Sequence, residues 1–143
     1  KPDIRRSKIS LLNKRQHVGI YNLMFEYALN CNQHAYGFDI RSIEDCQFGV
    51  YDSKDEGFYD WHIDSDVNCA NEPPVRKISM TCLLSHESEF EGGGLELMSD
   101  GKIARPKQGQ AIFFASYIRH RVVPITRGVR KSLVLWVGGT PFR

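Results

Sequence analysis

Hydrophobic and polar positions along this chain change their period once. From Asn13 to Cys31, Val18, Tyr21, Met24 or Phe25, and Ala28 recur at three- and four-residue steps. That spacing draws one apolar stripe along a helix. Asn13 with Gln16 three residues on resembles a capping arrangement at its start. Such a helix most simply covers the outside of a sheet. Residues 1–10 ahead of it are polar and read as a frayed lead-in. After Asn32 the chain turns to short aromatic or β-branched runs bounded by turn residues. Strands are expected at Tyr36–Ile40, Gln47–Tyr51, Phe58–Asp64, Arg76–Leu84, Leu95–Met98, Lys102–Ala104, Gln110–Phe114, His120–Ile125 and Val129–Val137. Ser53–Gly57 reads as a turn, Gly92–Gly94 as a plain tight bend and Asp100-Gly101 as a hairpin signal. Ser65–Pro74 is polar, ends in two prolines and suits a mobile lid.

One helical segment followed by eight or more short strands predicts a mainly β fold. A double-stranded β-helix, or jelly roll, with the helix packed on the outside of one sheet fits best. A parallel α/β fold would need helices between strands, and there is no room for them. The 143 residues suit a single domain spanning 1–143, with a helical lead-in over 1–35 and a β-helix core over 36–138.

Composition narrows the setting. Hydrophobic residues make up 41% and charged residues 25%, ordinary values for a soluble protein. No apolar run approaches membrane-spanning length. The opening Lys1–Arg6 is too polar for a signal peptide, so a cytoplasmic location is expected. Cys31, Cys46, Cys69 and Cys82 stand far apart, which argues against a zinc knuckle or a thioredoxin-like motif and for reduced thiols. Net charge is only +2, but residues 39–100 hold fifteen acids against four bases, and residues 101–143 hold nine bases and no acid. Those bases alternate with apolar residues instead of forming a block. Nucleic-acid binding is therefore not expected, and a positive end that attracts a small dianion fits as well.

The candidate chemistry begins at Tyr59-Asp60-Trp61-His62-Ile63-Asp64. In a strand, residues i and i+2 point to one face, so His62 and Asp64 can aim at one point. His-x-Asp alone is a weak signal, because a lone strand histidine is more often a hydrogen-bond partner than a ligand. His120 starts a later strand and completes two His and one carboxylate, the facial set of non-heme Fe(II) oxygenases. Downstream, alternation puts Arg130, Ser132, Val134 and Trp136 on one face and Leu133, Leu135 and Val137 on the other. Either the first face is the outer one and Arg130 is solvated, or it lines the barrel and the guanidinium needs an anion. A metal triad ten residues upstream favours the anion site, because Arg matches a carboxylate with a two-donor fork and Ser132 adds a hydroxyl. Asp60 is read as solvated at the strand's start.

The order His62-x-Asp64, His120, Arg130 resembles the Fe(II)/2-oxoglutarate-dependent dioxygenases, and within them the prolyl 4-hydroxylase-like protein hydroxylases. Matching stretches are Tyr59-x-x-His62-x-Asp64, Gly92-Gly93-Gly94-Leu95-Glu96-Leu97, Pro106-x-x-Gly109-x-Ala111-Ile112-Phe113-Phe114, His120-Arg121-Val122-x-Pro124-x-Thr126-Arg127-Gly128-x-Arg130, and Trp136. The resemblance implies that His62, Asp64 and His120 bind Fe(II). It implies that Arg130, with Ser132 and Tyr51, binds 2-oxoglutarate, with O2 as co-reactant and ascorbate as a supporting reductant. A proline-containing peptide or protein would be the substrate, with succinate and CO2 as co-products, and Trp136 and Tyr59 would stand on the substrate side. Asp64 fills the position that halogenating relatives leave open, so hydroxylation is implied. Leu83 stands where the oxygen-sensing members carry a second cosubstrate tyrosine. The same chemistry on another side chain or a small molecule, or a non-catalytic metal-binding β-sandwich with Arg130 exposed, is the alternative reading.

Overall fold

A computed structural model of the chain describes residues 4–65, 74–98 and 101–142. In chain order the elements are β1 (Arg5–Arg6), β2 (Lys8–Leu11), α1 (Val18–Cys31), β3 (Ser42–Ile43), β4 (Gln47–Asp52), β5 (Phe58–His62), β6 (Val75–Leu83), β7 (Phe90–Gly92), β8 (Leu95–Leu97), β9 (Ile103–Ala104), β10 (Ala111–Ala115), β11 (His120–Val122) and β12 (Ile125–Gly139). Two antiparallel sheets result. The smaller has the order β1-β5-β11-β8-β9, and the larger runs β10-β6-β12-β4-β2, with β3 and β7 also paired to β12. This is the mainly β, double-stranded β-helix arrangement with one helix that the strand pattern predicts.

The helix covers the larger sheet because their apolar faces match. Tyr21 and Ala28 are buried with Ile78, Met80, Cys82, Leu133, Leu135 and Val137, and Ile20, Met24 and Phe25 pack against them. The Tyr21 hydroxyl donates to the Leu12 carbonyl at 2.6 Å and accepts from the Cys46 amide at 2.7 Å, which ties α1 to the entry of β4. Val18, placed on the apolar stripe by its spacing, is exposed instead. The opposite face of β12 points between the sheets, so the alternation across Arg130–Val137 divides as expected.

Several local expectations need correction. The lead-in expected to be frayed is paired over the residues described from Arg5 onward. Arg5 and Arg6 pair with Tyr59 and Phe58, and Lys8–Leu11 pair with β4. All four residues of β2 are exposed, so backbone pairing and not burial holds this edge strand; Ile9 and Leu11 alternate with Lys8 and Ser10, but over four residues only. Asn13 accepts from the amides of Arg15 and Gln16, at 2.9 and 3.1 Å, and so caps a turn ahead of α1. Tyr36–Ile40 is not a strand. The helix continues as a π turn over Asn32–Tyr36 and stops at left-handed Gly37. The Asn32 side chain then takes both the amide and the carbonyl of Phe38, each at 2.7 Å, so these groups are satisfied locally instead of by a ladder. β12 begins at Ile125, four residues before its expected start. Gly128 lies inside it with φ 75°, where a Cβ would overlap the Glu89 carbonyl oxygen, so a residue that reads as a turn sits within a strand.

Most of the expected lid, with Cys69, lies outside the described residues, as does Asp100 of the hairpin signal. Cys31, Cys46 and Cys82 are free thiols. Among the described residues, no helix is long and apolar enough to cross a membrane.

Candidate metal centre and cosubstrate pocket

His62 and His120 become neighbours because β5 and β11 pair with these two residues in register. Asp64 lies two residues past the end of β5, not within the strand. It is placed by the chain turning onto Ser116, whose carbonyl accepts from the amides of both Asp64 and Ser65, at 3.0 and 3.1 Å. The result is a tight cluster: Asp64 Oδ1 lies 3.4 Å from His62 Nε2 and 3.5 Å from His120 Nε2. One ligand atom from each residue falls within 4.8 Å of the others.

The imidazoles are oriented from behind. His62 Nδ1 lies 2.7 Å from the Asp60 carbonyl, and His120 Nδ1 lies 2.8 Å from that of Ile118. A carbonyl only accepts, so each Nδ1 carries the proton and each Nε2 keeps its lone pair for the centre. Tyr59 stacks on the His62 ring at a centroid separation of 3.5 Å, and Phe114 meets the His120 ring edge-on at 4.6 Å. Burial pushes the His120 pKa down, partly countered by Asp64, which favours the neutral ligand form. Burial would raise the Asp64 pKa, but in acid, where a protonated His62 would donate to it and a protonated His120 would add its charge, these together with donors on Ser79 and Trp136 outweigh burial and bring it down to about 2. Two neutral imidazole nitrogens and one ionised carboxylate oxygen fit a divalent metal.

The same cavity, about 260 Å³, is also lined by Tyr51, Arg130 and Ser132. Arg130 is only 3% exposed. Its Nη1 donates to Ser132 Oγ at 3.3 Å, and its Cζ sits 5.5 Å from the centre of the Tyr51 ring. Burial lowers its pKa, partly opposed by Tyr51. Among the described residues, no carboxylate pairs with it. The glycine run does more than turn the chain: at Gly93, φ 67°, a Cβ would meet Ile125 and come within 2.9 Å of Arg130 Cδ. An exposed Arg130, which the non-catalytic alternative requires, is not what the fold provides.

Residues 46–138 match the 2OG-Fe(II) oxygenase superfamily. The chain belongs to that superfamily. Membership implies Fe(II), 2-oxoglutarate and O2. The chain is 34% identical over 82 residues to a PKHD-type hydroxylase of Synechococcus, covering 55% of this chain and 36% of the relative. It is 28% identical over 141 residues to one of Teredinibacter turnerae, covering 95% and 57%. The chain thus spans about a third to three fifths of the length of these curated relatives. Its fold is similar to that of a viral collagen prolyl hydroxylase from Paramecium Bursaria Chlorella virus-1, with a TM-score of 0.78, 20% identity, and coverage of 96% of this chain and 81% of the other. A Pseudomonas putida prolyl-4-hydroxylase gives a TM-score of 0.76 at 23% identity, covering 98% and 76%.

All eight residues singled out in the oxygenase from sequence line one cavity: Tyr51, Tyr59, His62, Asp64, His120, Arg130, Ser132 and Trp136. Trp136 has a second attachment, since its Nε1 donates to Asp64 Oδ2 at 3.0 Å. Asp60 is exposed as expected, but its carbonyl orients His62. Sequence reasoning missed Ser79 and Ser116, both buried behind Asp64. It also missed Arg5 over the Tyr59 ring, Arg76 over the Trp136 ring, and Gln47, whose Oε1 is buried without a partner. A serine in a strand carries no periodic signal. Arg76 lies three residues from Ser79, so strict alternation puts it on the opposite face, and the register shift of β6 against β12 between them is what brings both to the cavity; Arg5 lay in the segment read as frayed.

Proposed function

We propose that the oxygenase hydroxylates a prolyl residue of a peptide or protein, holding Fe(II) with His62, Asp64 and His120 and 2-oxoglutarate with Arg130, Ser132 and Tyr51. The observation that carries this reading is a buried guanidinium without an acidic partner among the described residues, lining the same cavity as the His-Asp-His cluster. Burying an unpaired cation is costly, and a ligand carboxylate in the cavity offsets that cost. Arg130 offers it a planar two-donor fork, and the Ser132 and Tyr51 hydroxyls are further donors.

Fe(II), when bound, supplies the chemistry that couples oxidative decarboxylation of 2-oxoglutarate to insertion of one oxygen atom into a C–H bond. The residues around it set what can happen there. The Asp60 and Ile118 carbonyls keep both imidazoles in the tautomer that presents Nε2. Asp64 supplies one negative charge, which leaves the remaining positions for cosubstrate and O2. Tyr59 and Trp136, which line the cavity from the smaller and the larger sheet respectively, are the surfaces against which a prolyl ring is positioned. The prolyl preference is supported by the fold shared with prolyl hydroxylases, one of which was solved with a hypoxia inducible factor peptide.

The test is mass spectrometry of proline-containing peptides after incubation with Fe(II), 2-oxoglutarate, O2 and ascorbate as supporting reductant. A gain of one oxygen on proline, with matching succinate and CO2, is the expected result. Turnover of 2-oxoglutarate with oxygen appearing only on other residues or on a small molecule would reject the prolyl assignment and keep the oxygenase.

A further inference from the structure

Behind Asp64 lies a buried polar chain that the metal set does not itself require. Asp64 Oδ2 accepts from Ser79 Oγ at 2.6 Å and from Trp136 Nε1 at 3.0 Å. Ser79 Oγ lies 2.9 Å from Ser116 Oγ. Ser79 is 1% exposed, Ser116 0% and Trp136 7%. The direction of each bond follows from chemistry alone. An ionised carboxylate only accepts, so Ser79 must donate to it, and indole N–H only donates. With its single proton committed, Ser79 can only accept from Ser116. Both arms therefore point their protons at one carboxylate oxygen.

The arms come from separate strands fixed by the same ladder. Ser79 on β6 pairs with Trp136 on β12 and with Phe114 on β10. Ser116 follows β10, and its amide donates to the Lys77 carbonyl at 2.9 Å while its own carbonyl takes the amides of Asp64 and Ser65. The carboxylate is thus held by backbone on one side and by two side-chain donors on the other. Oδ1 alone is left facing His62 Nε2 and His120 Nε2.

We infer that Ser79 and Trp136, with Ser116 behind Ser79, are positioning residues that lock the rotation of the Asp64 carboxylate and thereby set metal affinity. The inference rests on the metal assignment of the preceding section. Trp136 thus acts on the metal side through its indole N–H, in addition to the wall its ring presents to the cavity. Neither donor touches the reacting atoms, so each acts through Asp64.

The test uses Co(II) alone, without 2-oxoglutarate or substrate, on the intact chain. Affinity is measured by titration calorimetry and coordination by the visible ligand-field bands. Ser79→Ala and Trp136→Phe should each weaken Co(II) binding about 10-fold or more, in line with the loss of groups that orient metal ligands, and should alter the bands. Ser79→Thr, which restores the hydroxyl, should recover both. Thermal midpoints of the metal-free variants separate positioning from folding. Wild-type affinity and bands in both variants would overturn the inference. So would a loss that follows the metal-free midpoint and is not recovered by Ser79→Thr. Failure of the wild-type chain to bind Co(II) would instead reject the metal assignment, and this inference with it.

Discussion

Replacing Arg130 with Met should act in opposite directions on the metal-free and the cosubstrate-loaded protein. Arg130 is 3% exposed and has a hydroxyl and an aromatic face as neighbours, but no acid among the described residues. In the loaded protein, two charge-assisted hydrogen bonds to a carboxylate are worth about 1.5–3 kcal/mol each. Losing both should cost about 3–6 kcal/mol, which is about 10²- to 10⁴-fold in 2-oxoglutarate affinity. In the metal-free protein the same change removes an unpaired buried charge and leaves an apolar stem of similar length. Replacing buried ionic groups by apolar ones is neutral or stabilising by about 1–4 kcal/mol. The lost contacts to Tyr51 and Ser132 offset part of this. A net gain of about 1–2 kcal/mol should raise the midpoint by about 2–6 °C. Titration of 2-oxoglutarate into the Mn(II)-loaded protein, together with thermal unfolding of the metal-free protein, reads both effects. Wild-type 2-oxoglutarate affinity in the variant would refute the anion site. A midpoint several degrees lower would show that the guanidinium is already compensated without ligand.

Other expectations follow from the same geometry. His62→Ala and Asp64→Ala should each abolish turnover and Mn(II) retention, and full activity in either would sink the proposed chemistry. Asp64 is held at about 2, below its ordinary value, so the unfolded chain takes up this proton first as pH falls. Its contribution to stability is therefore complete above about pH 4 and lost between about 4 and 2. Denaturant midpoints of the metal-free protein should drop across that window more steeply in wild type than in Asp64→Asn, and parallel curves would contradict the assignment. Gly128→Ala should destabilise by roughly 2–4 kcal/mol, since it adds a Cβ against the Glu89 carbonyl at φ 75°; chemical denaturation measures this, and a change under 1 kcal/mol would show that β12 relaxes there.

Two features made the site legible in the chain. Period-two alternation assigned the faces of Arg130–Val137 correctly, because opposite faces of β12 meet different environments: α1 on one side and the cavity on the other. The combination of His62, Asp64, His120 and Arg130 pointed to a candidate ligand set and a candidate anion partner, and the fold lines one cavity with all four. The pairing of β1 and β2 was not read from the chain: β1 is two arginines, and the alternation Lys8-Ile9-Ser10-Leu11 is four residues long with every side chain exposed, so backbone bonds hold it without a buried apolar face. The loss of the strand at Tyr36–Ile40 was equally hidden, since it turns on one side chain, Asn32, outcompeting a ladder.

By itself, then, the sequence determined which residues are candidates for the chemistry and how the residues of β12 divide between its two faces, since these follow from residue type and the two-residue period. Only the tertiary structure decided how Asp64 is aimed. Its direction depends on Ser79, Ser116 and Trp136, which are 15, 52 and 72 residues away along the chain. These become neighbours through the pairing of β6 with β10 and β12. Hydrogen bonds between side chains so far apart leave no local pattern, and a buried serine reads along the chain as any other small residue.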